Sequence, residues 1–93
     1  MTLEERLHDG SRAREILENE VFTKSFEAIE KEITEQWISS PARDQEGREK
    51  CWQYLMMLQK VKDNLVSTME SGKLAEIELN HRRTMLERLN PFA

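Results

Sequence analysis

Residues 47–89 read GREKCWQYLMMLQKVKDNLVSTMESGKLAEIELNHRRTMLERL, and this stretch decides the fold. Within it Gly47, Cys51, Tyr54, Leu58, Val61, Leu65, Thr68, Gly72, Ala75, Leu79, Arg82, Leu86 and Leu89 recur at alternating steps of four and three. Mostly apolar or small groups at that spacing form the seven-residue seam of a helix that packs lengthwise on a neighbour, as in a coiled coil. The register passes unbroken through Gly72, where a helix could otherwise end. Two alternatives stand: Ser71-Gly72 stops the helix, or a single helix spans residues 42–89, roughly 70 Å at 1.5 Å per residue. Gly inside a helix costs only about 1 kcal/mol relative to Ala, so the preserved register favours the continuous helix.

Upstream, Phe22, Phe26, Ile29, Ile33 and Trp37 lie at steps of four, three, four and four. That spacing lays five large apolar groups on one helical face. Continued backward, the same face meets Asn19, Glu15 and Arg12, so the stripe changes phase and a break is expected at Glu18–Glu20. Asp9-Gly10 reads as a turn, which leaves residues 1–10 loose, with Ser11 capping a short helix. Ser39-Ser40-Pro41 ends the first helical arm, residues 11–38. Either Ser40, with Pro41 in the first turn, or Asp44 can cap the second arm, residues 42–89. Pro91 then breaks the helix, and residues 90–93 form a tail. The expected fold is all-α: one domain over residues 1–93, an antiparallel helical hairpin with a short N-terminal helix and a long second helix.

Composition agrees with this. The 93 residues are 34% charged and 6% aromatic, with three Gly and two Pro, and sheet-type alternation is nearly absent. A chain this short buries only about 60% of the surface its unfolded form exposes, so oligomerisation is the expected remedy. The lone Cys51 cannot form an intrachain disulfide, which favours a reducing compartment. The longest apolar run, Tyr54–Leu58, is far short of the about 20 residues a membrane span needs. Glu4 and Glu5 near the start do not suit a secretory signal, so the cytoplasm is expected.

Within the hairpin the expected contacts are Phe22, Phe26, Ile29, Ile33 and Trp37 against Tyr54, Leu58, Val61 and Leu65. Trp37 and Trp52 flank the turn and could stack across it. The second arm outreaches the first and is apolar on more than one side, so another copy must cover the remainder. The expected interface residues are Trp52, Met56, Leu79, Leu86 and Leu89, with Phe92 as a docking peg on the tail.

Net charge is −4, with ten acidic and five basic residues in 1–40, five of each in 41–72, and four basic against three acidic in 73–93. An acidic chain is poorly suited to phosphate neutralisation, so nucleic acid is not the expected partner. The alternative rests on Lys73, Arg82, Arg83 and Arg88, a basic set for a packaging factor. Glu78 and His81 form a Glu-x-x-His pair of the kind found in helical di-metal sites; a metal-binding oligomer is the third reading, against ordinary polar residues on a solvated face. No cofactor is expected. Cys51 has no base near it in sequence, and no phosphate loop, zinc-ligand spacing or Ser/His/Asp arrangement occurs. The expectation is a protein without enzymatic activity.

Ile16-Leu17-Glu18-Asn19 with Phe22 and Phe26, Trp37 before Ser39-Ser40-Pro41, Arg48-Glu49, and Ser71-Gly72-Lys73-Leu74-Ala75 run through most of the chain. In these stretches it resembles small helical proteins of tailed bacteriophages and prophages. The resemblance implies a part in particle assembly or DNA packaging, or a modulator of a host protein. Helical hairpins also form the assembly core of small terminase subunits. This chain lacks the helix-turn-helix reader of a complete one, and no functional residue carries over.

Overall fold

A computed structural model describes residues 1–89. The chain is all-α, with helices α1 (Leu3–Glu18), α2 (Glu20–Ser39) and α3 (Gln45–Leu89), and no strand among the described residues. Among the same residues, no helix is long and apolar enough to cross a membrane. The expected break at Pro91 and the Phe92 peg lie outside the described residues.

Each boundary has a local chemical cause. The Thr2 hydroxyl accepts the Glu5 N–H at 3.1 Å, and Glu4 and Glu5 place negative charge at the positive end of α1. At Asn19 the backbone turns extended (φ −72°, ψ 120°), and the side chain accepts the Phe22 N–H at 2.9 Å. That satisfies one orphan donor of α2 and accounts for the break expected at Glu18–Glu20. Asn19→Ala is therefore expected to cost about 1 kcal/mol, read as a lower midpoint in urea denaturation. An unchanged midpoint would show that the cap contributes nothing.

Ser40 closes α2: its N–H and its hydroxyl both donate to the Trp37 carbonyl, at 3.3 and 2.6 Å. Asp44 opens α3 by accepting the Gly47 N–H at 3.0 Å. Of the two caps open to the sequence, Asp44 is the one used, and α3 begins at Gln45 rather than residue 42. Arg48 fastens this connection, donating to the carbonyls of Trp37 and Ser40 and to the Ser40 hydroxyl at 3.2–3.4 Å.

The described residues divide into two compact units, one made of residues 1–15 with 65–89, the other of residues 16–64. In the first unit α1 lies against the later part of α3. The turn expected at Asp9-Gly10 and the loose first ten residues are replaced by uninterrupted helix. The cause is tertiary. A Cβ on Gly10 would stand 2.6 Å from the Gly72 Cα, and one on Gly72 would stand 2.7 Å from the Gly10 Cα. Two helix backbones therefore touch where neither carries a side chain. Ala13 and Ala75, each three residues further on, are 3% and 0% exposed. Paired Gly-x-x-Ala segments form the crossing. Arg6 adds two bonds across it, to the Ser71 hydroxyl at 2.9 Å and the Ser71 carbonyl at 3.2 Å. This packing keeps α3 continuous through Gly72, as the register favoured.

In the second unit α2 lies against the earlier part of α3. Arg48 reaches Trp37, Tyr54, Met57 and Leu58 share a groove with Ile29 and Ile33, and Lys62 lies by Phe22. Partners on α3 thus rise in number as those on α2 fall. Phe22 and Phe26 pack ring to ring at 5.0 Å. Phe26, Ile33, Trp37, Leu55 and Leu58 are half-buried and Cys51 is buried. Two residues of the expected seam depart from it: Tyr54 and Val61 are 57% and 48% exposed. Leu55 takes the covered position instead, because α2 sits to one side of the seam and shelters the 51–55–58 edge. Of the two tryptophans expected to stack across the turn, Trp37 is half-buried and Trp52 is 50% exposed.

Candidate interaction surface

In the second unit, Ile29 and Ile33 of α2 and Tyr54, Met57, Leu58 and Val61 of α3 line an open groove of about 320 Å³. Its walls come from helical spacing alone: Ile29 and Ile33 are one turn apart, and Tyr54, Met57 and Val61 follow at steps of three and four. Ile29 and Met57 remain 45% and 62% exposed. Both helices contribute, so the patch is contiguous rather than a scatter of single side chains. Contiguous exposed apolar surface marks sites of association in proteins that keep their scattered apolar groups harmless.

Trp52 and Met56 are also exposed. They lie two and one residues before Tyr54 and Met57, which turns them toward the opposite side of α3. Of the other expected interface residues, Leu79 is half-buried within the first unit, while Leu86 and Leu89 are exposed.

The basic set is dispersed. Arg82 is engaged by Glu78 at 2.9 Å on the same helix. Lys73 borders a cleft of about 520 Å³ beside the glycine crossing, together with Glu4, His8, Arg14 and Glu76. Both signs of charge line that cleft, which gives it no sustained field for an anion. Arg83 and Arg88 are exposed on the last turns. The Glu78 carboxylate accepts from Arg82 at 2.9 Å, and among the described residues no group of three or more His, Cys, Asp or Glu could hold a metal ion. Cys51 is a free, buried thiol.

Ile29, Tyr54 and Val61, expected inside the hairpin, instead line its open side together with Met57. The signal for the groove was present in the 54–57–61 spacing. What it lacked was the position of α2. Comparison with family models, curated proteins and solved structures finds no match to this chain.

Proposed function

We propose that this chain is a non-enzymatic assembly protein, an antiparallel helical hairpin with a long second helix that works as an oligomer of itself. One observation carries the proposal: between residues 52 and 61, α3 is apolar on two sides, and α2 covers neither. Trp52 and Met56 face one way, Tyr54, Met57 and Val61 the other, all about half exposed or more. A single neighbouring helix shelters one stripe, so these groups stay wet until another layer arrives. Full burial of a large apolar side chain contributes about 1.5–3 kcal/mol, and several half-exposed ones together exceed the cost of ordering an interface only if they meet as a patch.

The resemblance to small phage proteins supplies a setting, in particle assembly or the modulation of a host protein. The nucleic-acid reading has less support, because Lys73 borders a cleft lined by charges of both signs and the basic residues form no single stripe. The metal reading has less still, since among the described residues no third His, Cys, Asp or Glu stands with Glu78 and His81.

Multi-angle light scattering on the full chain across micromolar concentrations is expected to return a dimer or larger species. A monomer throughout that range would remove the proposal.

A further inference from the structure

We infer that the groove of the second unit is covered by a second copy of itself, turned about an axis parallel to the helices so that α2 of each copy lies over α3 of the other. This deepens the assembly reading and rests on it. The occupant is chosen by charge. Over Glu20–Ser39 there are five Glu against two Lys, a net of −3, while residues 45–64 carry four basic against three acidic groups, a net of +1. Stacking α2 on α2 would set acidic helix against acidic helix. Stacking α2 on α3 joins opposite signs, and like-charge juxtaposition is what an interface avoids.

Two residues make the match specific. Glu32 follows Ile29 by three positions and Lys50 precedes Tyr54 by four, so each shares the groove's side of its helix. Both are exposed. Lys50 has a surface contact to Glu46 at 3.5 Å, and exposed pairs of that kind hold weakly enough to be exchanged. The Arg48–Trp37 bond and the shared Ile29–Met57 groove set Glu32 level with the Tyr54 region, about one turn from Lys50. Rotation about an axis parallel to the helices preserves that level. Glu32 of one copy then lies about one turn from Lys50 of the other, a distance the two long side chains span, and the contact occurs twice. Ile29, Tyr54, Met57 and Val61 of both copies fill the space between.

The test uses two full-chain variants, Glu32→Lys and Lys50→Glu. Each alone sets like charges together at both contacts, and each is expected to self-associate on the order of tenfold more weakly at low salt. Mixed in equal amounts they are expected to recover wild-type association, because in the mixed dimer both contacts again join opposite charges. Sedimentation equilibrium reads the dissociation constants, and circular dichroism verifies that both variants stay helical. If wild type is dimeric but mixing restores nothing, or neither variant weakens association, this orientation is wrong while the assembly reading survives. If Trp52→Glu dissociates the wild-type oligomer and the charge variants do not, the opposite face is the interface. A monomeric wild type removes both.

Discussion

Gly72→Ala is expected to lower the melting temperature by roughly 8–16 °C, the shift that about 2 kcal/mol produces in a chain of this size. The sign is the informative part. In an isolated helix the same change adds about 1 kcal/mol of stability, because Ala is the better helix former. Here the new Cβ would stand 2.7 Å from the Gly10 Cα and 3.0 Å from the Arg6 carbonyl oxygen. Both are backbone atoms, which cannot swing aside as the end of a side chain can. The helices must separate, and the buried contact of Ala13 with its surroundings and the Arg6–Ser71 bonds go with them. Overpacking of this kind costs about 1–3 kcal/mol. Gly10→Ala strikes the same contact from the other side, with its Cβ 2.6 Å from the Gly72 Cα. The two changes are therefore expected to be strongly non-additive: once the backbones are apart, the second Cβ costs little. Thermal denaturation of the two single variants and the double one settles the matter, and a stabilised Gly72→Ala protein would mean that α1 does not dock there.

Met57→Glu is expected to leave each copy's own stability nearly unchanged and to weaken self-association by a factor of roughly 30–1,000. Met57 is 62% exposed within its unit, so the unit's own packing depends little on it. In a symmetric dimer each substitution is felt twice. Losing the burial of the remaining surface on both copies is worth about 2–4 kcal/mol, before any cost of enclosing the carboxylate. A sedimentation series reads the association, and a melt at the lowest concentration reads the single copy. Loss of stability without loss of association would place Met57 in an internal packing role instead.

Much of the backbone was legible because its causes are local. The change of stripe phase at Glu18–Glu20 located the break, and Asn19 supplies the cap at that point. Asp44 was one of two caps the residues allowed. The register through Gly72 favoured continuity, and α3 is continuous. Asp9-Gly10 misled for the complementary reason. Its turn propensity is a property of neighbouring residues, and the contact that holds Gly10 helical comes from α3, far along the chain. The candidate surface was half legible. The spacing of Tyr54, Met57 and Val61 is written in the chain, but adjacent residues such as Tyr54 and Leu55 compete for one covered position, and only the placement of α2 awards it to Leu55.

The order of residues by itself determined that this protein is helical, that a break falls at Glu18–Glu20 where Asn19 caps α2, that the next helix opens at one of two caps, Ser40 or Asp44, and that one register runs through α3. Capping, propensity and periodicity act over a few residues, so they can be read there. Tertiary structure alone decided that α1 runs straight through Gly10 and which side of α3 is left open to water. The first is set by glycine meeting glycine where the α1 and α3 backbones touch, the second by where α2 lies along α3; neither is written in the residues next to the positions it governs.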